Sequence, residues 1–307
     1  MKIAIMGMGG VGGYYGGKLA AHYAGVPEHA IYFIARGRHL REIRKRGLTV
    51  VTPDSLIKAV PAGATDTPAE LGPMDLILLC VKTYHLEDAA RFLTDSIHAN
   101  TVVIPLSNGV DNAETLRRIL RKGILLNGCV YISSHIAKPG IVEQTGGSCR
   151  LVFGPENGAS QAYRDIETLL QNAGIKAELS GTIALEAWTK FIFIGPLASI
   201  TALFDETVGA VMDHPEHRHM LEGLMKEVEL VARAGKIPLP PDIVAASMAM
   251  ASRFPSDTKT SMQVDVEKGN RTEVDTFTGY VIHRGKKSGI ETPLHDKVYT
   301  LLQGVVA

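Results

Sequence analysis

Short apolar runs alternate with helical patterns along the first half of the chain. KIAIM at 2–6 predicts a strand, and the glycine-rich VGGYYGGKLAAHYA after it predicts a helix. AIYFIAR predicts a second strand and RHLREIRKRG a short basic helix ending at Gly47. MDLILLCVK, residues 74–82, is apolar throughout, as expected of a strand buried on both faces. The helical HLEDAARFLTDSIH follows, then the strand TVVIPLSNG and the helix NAETLRRILRKG. Strands separated by helices predict βαβ units and a mostly parallel sheet, an α/β doubly wound architecture. The segment CVYISSHIAKPGIVEQTGGSCRLVFGP differs: turn signals at Pro139-Gly140 and Gly146-Gly147 predict antiparallel strands closing the edge of that sheet.

A helix at 162–173 and a strand at 175–179 complete this half. Beyond Ser180 the strand patterns stop. LEAWTKFIFI, GLMKEVELVARAG, PDIVAASMAMASRF and a long stretch from Glu273 to Ser288 all carry helical spacing. The boundary is therefore placed near Gly181, dividing an α/β domain, 1–180, from an all-α domain, 181–307.

Composition narrows the function classes. Thirty-two basic and 32 acidic side chains give a formal net charge of zero, which argues against a polyanionic partner such as nucleic acid. The basic run at 36–46 has no interleaved aromatics to stack bases. Cys80, Cys129 and Cys149 are odd in number and widely spaced, as expected of small core residues in a reducing compartment. The longest apolar stretch, 191–204, contains Gly195 and Pro196 and is shorter than the ~20 residues of a membrane span. Without a signal-peptide pattern, these features predict a cytoplasmic protein with no membrane partner. His214, His217 and His219 have loose metal-ligand spacing around Pro215 and read as a polar loop, with no metal.

Seven glycines lie between Gly7 and Gly17, and Gly7, Gly9 and Gly12 fit G-x-G-x-x-G between a strand and a helix. In that setting the first glycine permits a tight turn, the second lets a pyrophosphate approach the backbone, and the third lets helix and strand pack closely. The helix N-terminus then offers free N–H groups to the phosphates. An NAD site places an acidic residue at the end of the second strand. Here ARGRH supplies Arg36 and Arg38 instead, and a guanidinium suits a 2′-phosphate, so the predicted cofactor is NADP (NADPH). Lys82 and Asn108-Gly109 follow the next two strands and fall at the same sheet edge, where ligands bind in doubly wound folds.

GMGGVGGYYGGKLA, ARGRH, CVKTYHLEDA, LSNGVDNAETL, EAWTKF and SMQVDVEKGNRTEVDTFTGYVIHRGKKSGIETP occur in the order found in ketopantoate reductases, which the chain resembles over nearly its whole length. The resemblance implies an N-terminal Rossmann-type NADP-binding domain, an all-α substrate domain, and an active site in the cleft between them. It implies catalytic roles for Lys190 and Glu273, and substrate contacts for Ser261, Asn108 and Thr258. It implies cofactor contacts for Gly7, Gly9, Gly12, Arg36, Lys82 and Asn108. The small-molecule substrate would be ketopantoate, reduced to pantoate in pantothenate synthesis.

The chain departs from the family where asparagines usually stand four and eight residues after the lysine: these are Ile194 and Ala198. A further family asparagine corresponds to Thr258. A different 2-keto acid, or an imine made from one, is therefore a second reading, and a non-catalytic NADP-binding sensor a third. An apolar face of the helical half is compatible with a homodimer, although helical spacing does not separate core from interface.

Overall fold

The computed structural model describes residues 1–305 and divides into two compact units, Met1–Ile183 and Ala184–Ala307. In the first, β1 (Lys2–Met6) leads into α1 (Gly10–His22), β2 (Ala30–Ile34) and α2 (Gly37–Arg46). Next come β3 (Leu48–Val51), β4 (Leu56–Ala59), β5 (Gly63–Thr65) and β6 (Met74–Leu79). Then follow α3 (Leu86–Leu93), β7 (Ile97–Pro105), α4 (Asn112–Ile119) and β8 (Ile124–Leu125). The unit ends with β9 (Asn127–Lys138), β10 (Ile141–Gly154), α5 (Arg164–Asn172) and β11 (Lys176–Leu179).

Six strands form one parallel sheet in the order β5-β2-β1-β6-β7-β8. Counted along that sheet this is 3-2-1-4-5-6, the doubly wound dinucleotide-binding order, with the reversal beside β1. Alternation along β1 sends Ile3 and Ile5 into the core shared with α1, and Ala4 into the core under α3 and α4.

The hairpin β9–β10 does not close the edge of the parallel sheet, contrary to the sequence expectation. It belongs to a second sheet, β11-β10-β3-β4, with β9 paired antiparallel to β10. The first part of β10, Ile141–Glu143, pairs with β3, and its last part, Arg150–Phe153, pairs with β11. This sheet covers the side of α1 that faces away from the parallel sheet. A Cβ on Gly10 would overlap the Ser134 carbonyl, one on Gly13 the Val142 side chain, and one on Gly17 the Val50 side chain. About 100° round the helix from Gly17, a Cβ on Gly16 would press on Ile5 and Phe33 at 3.0–3.3 Å. α1 is thus squeezed between two sheets, and this close approach, not only a ligand, accounts for its glycines.

Among the described residues the second unit contains only helices: α6 (Ile183–Phe204, whose first residue belongs to the first unit), α7 (Val208–Asp213), α8 (Pro215–Ala234), α9 (Ile243–Ala251), α10 (Ser261–Glu267), α11 (Tyr280–Ser288) and α12 (Pro293–Val305). The apolar stretch expected to be short is part of the 22-residue α6, which runs through Pro196. By length and composition α6 is long and apolar enough to cross a membrane, and most of its apolar stretch is buried inside the fold. Its mean apolarity comes from contacts on several sides. Trp188 and Phe191 pack on Tyr280, and Phe191 meets Phe277 with ring centroids 6.2 Å apart. The Ser199 and Thr278 hydroxyls are 3.0 Å apart, and those of Thr201 and Thr260 2.7 Å. The expected long helix from Glu273 holds a π-turn, Asp275–Gly279, before continuing as α11. Single π-turns of this kind occur often at functional sites.

Candidate active site

Two groups of residues emerge, one in each unit. In the first, the ends of β1, β2, β6 and β7 are stitched together by backbone hydrogen bonds. Gly7 N–H donates to Ile34, Cys80 N–H to Met6, and Leu106 N–H to Leu79, at 2.7–3.0 Å. The Ser107 hydroxyl donates to the Val81 carbonyl at 2.5 Å, tying the Asn108 loop to the Lys82 loop. The buried Asn112 amide donates to the carbonyls of Ser107 and Asn108 at 3.0 and 3.1 Å, which holds the Asn108 turn in shape. Lys82 and Asn108, both half-buried, therefore stand on adjacent turns at the carboxyl edge of the sheet.

The glycine turn fits a pyrophosphate. Gly7 has φ +93°, a conformation that favours glycine, and its Cβ would lie 2.9 Å from the Cys80 carbonyl. A Cβ on Gly12 would overlap the Gly7 carbonyl. Gly9 is different: a Cβ there would meet nothing within 4 Å, so no protein atom requires glycine at this position. The open space over Gly9, at the N-cap of the 13-residue α1, is where a phosphate group would sit against the first helical N–H groups. Behind the turn, Gly140 N–H donates to His39 Nδ1 at 3.0 Å. Burial pushes the His39 imidazole pKa down, opposed by a hydrogen bond with the Met8 backbone. Desolvation likewise pushes the Cys80 thiol pKa up.

Arg36 is the exposed, extended N-cap residue of α2. Its Nη2 lies 3.3 Å from Nε2 of His85, on the turn after Lys82. Nothing in the sequence pattern gives His85 a role, although it sits three residues beyond Lys82. The rest of the basic run faces solvent, with Arg44 near Asp66 and Arg46 near Glu42, both at 3.7 Å.

In the second unit Lys190 is half-buried on α6. Ile194 and Ala198 follow at one and two helical turns, Ile194 half-buried and Ala198 2% exposed. The same stripe reaches Thr201, whose hydroxyl meets that of Thr260. Thr260 caps α10 by accepting from Gln263 N–H, which sets the exposed Ser261 on its first turn. Thr258 is half-buried and its carbonyl accepts from Val208 N–H at 2.9 Å. Glu273 is 3% exposed and immediately precedes the helix whose Phe277 and Tyr280 pack on α6. Elements that touch α6 directly thus carry Ser261 and Glu273, and α6 itself carries Lys190. The histidines at 214–219 form no ligand set. His217 stacks between Phe204 and His214 and pairs with Glu206 at 2.7 Å, and among the described residues no group of three or more potential ligands occurs.

Two family models match the chain: Ketopantoate reductase PanE/ApbA over residues 3–158, and Ketopantoate reductase PanE/ApbA C terminal over residues 182–306. The chain belongs to the ketopantoate reductase family. It is an oxidoreductase of that family, with a parallel-sheet N-terminal unit and a helical C-terminal one. An uncharacterized oxidoreductase of Bacillus subtilis, YkpB, is 30% identical over 99% of this chain and 98% of its own length. A 2-dehydropantoate 2-reductase of Halobacterium salinarum is 29% identical over 96% of this chain and 95% of its own. A PanE/ApbA family ketopantoate reductase from Ralstonia eutropha superposes with a TM-score of 0.90 at 29% identity, covering 100% of this chain and 98% of that one. A D-mandelate dehydrogenase solved with NADH and anilino(oxo)acetate shares the fold at 23% identity, with a TM-score of 0.88 over 100% and 98% of the two chains.

Proposed function

We propose that the chain reduces a 2-keto acid to the 2-hydroxy acid with NADPH, and that 2-dehydropantoate, giving pantoate, is its substrate. The observation that carries this reading is a half-buried lysine and an almost fully buried glutamate, Lys190 and Glu273, on packed elements of one helical unit in a ketopantoate reductase family chain. NADPH over NADH is supported by Arg36 at the end of β2, where an NAD site usually has an acid. The cofactor, when bound, supplies a hydride to the ketone carbon.

Gly7, Gly9, Gly12 and the first N–H groups of α1 hold the pyrophosphate, and Lys82 and Asn108 hold the cofactor at the neighbouring strand ends. Ser261 and Thr258 contact the keto acid, and Asn108 orients it. The Lys190 ammonium polarises the ketone oxygen and gives it a proton from Nζ as negative charge develops there, recovering one from solvent afterwards. Glu273 accepts a hydrogen bond from the hydroxyl being formed and holds the Lys190 ammonium in place. The three cysteines, none in a disulfide, support a reducing, cytoplasmic setting.

Ile194 and Ala198 favour a second reading, a 2-keto acid with an apolar side chain, in keeping with the mandelate dehydrogenase of the same fold. The deciding experiment follows NADPH oxidation with 2-dehydropantoate beside aliphatic and aromatic 2-keto acids, with NADH in parallel. The expected result is fastest turnover with NADPH and 2-dehydropantoate. Turnover confined to apolar keto acids would transfer the assignment to the second reading. Under that second reading, the double variant Ile194→Asn, Ala198→Asn should raise kcat/KM for 2-dehydropantoate by about tenfold, the scale of one hydrogen bond to a buried polar group. No gain would count against a polar wall being what the chain lacks.

A further inference from the structure

The glycine turn is backed by parts of the chain that lie far from it in sequence. One is β9: the Ser134 carbonyl fills the space where Gly10 would carry a Cβ, so this strand rests directly on the first residue of α1. Another is His39, in the first turn of α2. Its Nδ1 accepts the Gly140 N–H at 3.0 Å, a contact across 101 positions of sequence. Gly140 is the buried tip of the β9–β10 hairpin, with φ +81°. A Cβ on it would stand 3.0 Å from that of Glu42, so the tip sits tightly on α2. A neutral imidazole that accepts at Nδ1 carries its proton on Nε2. That nitrogen is buried and faces the backbone of Met8, between Gly7 and Gly9. Burial disfavours the charged ring, which leaves Nδ1 free to accept near neutral pH. One ring thus meets the hairpin tip with one nitrogen and the glycine turn with the other.

We propose that His39 is a clasp: by holding the hairpin tip and the glycine turn together, it keeps the first N–H groups of α1 set for the cofactor's pyrophosphate. The inference rests on the pyrophosphate reading of this turn given above. His39 is a positioning residue, acting through Met8 and the hairpin. Without its imidazole, the buried Gly140 N–H loses its acceptor and the hairpin tip loses its tie to the turn. A loosened turn must then be ordered when the pyrophosphate arrives, and that ordering is subtracted from the affinity. NADPH and NADH carry the same pyrophosphate, so both lose equally. This separates the clasp from any contact with the 2′-phosphate, which only NADPH carries.

The test titrates NADPH and NADH into the full-length wild type, His39→Ala, His39→Phe and His39→Asn, reading nicotinamide fluorescence. Melting temperatures of the ligand-free proteins report whether each variant is folded. His39→Ala should weaken both cofactors by the same factor, about tenfold, the scale of one buried hydrogen bond. His39→Phe keeps a ring in the space and loses both nitrogens, so it should lose as much, and it carries the test should His39→Ala fail to fold. His39→Asn places Oδ1 close to where Nδ1 stood and should recover part of the loss. Folded His39→Ala and His39→Phe variants with lowered melting temperatures and wild-type affinities would make His39 a structural residue only, which overturns the clasp and leaves the cofactor reading standing. Weakening of NADPH alone also overturns it, because His39 would then serve the 2′-phosphate. A wild type that binds neither NADPH nor NADH overturns the pyrophosphate reading and the clasp with it.

Discussion

Lys190→Ala should lower kcat for the keto acid by about 10²–10⁴-fold, the usual share of a general acid, while NADPH still binds. The cause is chemical. As hydride arrives, the ketone oxygen becomes an alkoxide, and without a positioned ammonium it must take its proton from water. Lys190 also has an apolar stem on an apolar helix, so alanine removes packing as well as charge. Lys190→Met separates the two effects, because it keeps most of the stem and loses the proton. The proposed mechanism requires both variants to be slow and NADPH affinity, read by fluorescence, to be kept. Near wild-type turnover in Lys190→Met would leave Lys190 a packing residue and send the search for the acid elsewhere. Glu273, 3% exposed, would be the first alternative to probe.

The second large effect separates two kinds of glycine in one short stretch. Gly10→Ala drives a methyl group into the Ser134 carbonyl of β9, a strand held to β10 along its length. Backbone cannot swing aside as a side chain can. The overlap should cost about 3 kcal/mol or more, a fall of roughly 10 °C in Tm for a unit of this size. Gly9→Ala meets no atom within 4 Å and sits at φ −70°, which alanine adopts freely. Its Tm should stay at the wild-type value while NADPH affinity falls about tenfold or more, because the new methyl occupies the space left for the pyrophosphate. Thermal melting and cofactor titration of the two variants check this. Equal melting temperatures would contradict the squeezed-helix account of Gly10. Unchanged NADPH affinity in Gly9→Ala would contradict phosphate binding at this turn.

Much of the first unit was legible because it is local. The strand KIAIM, its glycine turn and the helix that follows are neighbours in the chain, and each βα step repeats that arrangement. Pro139-Gly140 marks the hairpin as antiparallel, but it joins the second sheet and not, as the pattern predicts, the edge of the parallel one. Its partners, β3 and β11, lie far away in sequence, and alternation along a strand does not say which strand it will meet. The sequence marks β3 and β4 only weakly for the same reason. They are only four residues each, and they acquire their partners from β10 and from one another.

The candidate site divides in the same way. Lys82, Asn108 and Arg36 could be placed at one sheet edge because each ends a strand or the turn after it. His85 could not be linked to Arg36, because a contact across 49 positions depends on β1 lying between β2 and β6. Ser261 and Glu273 were nameable only through their resemblance to family motifs. Helical spacing alone does not show that Thr260 meets Thr201, or that Phe277 meets Phe191.

By itself, then, the sequence determined the alternation of the long strands and helices of the first unit, the change to all-helical texture after Ser180, and the strand–glycine–helix signature. These depend on hydrophobic period and backbone freedom, which act over a few residues. Only the tertiary structure decided which glycines face a ligand and which face a second sheet, because that depends on what packs against α1 from elsewhere in the chain. It also decided that an imidazole stands against the Arg36 guanidinium, since such a contact exists only when the sheet brings two distant turns to the same edge.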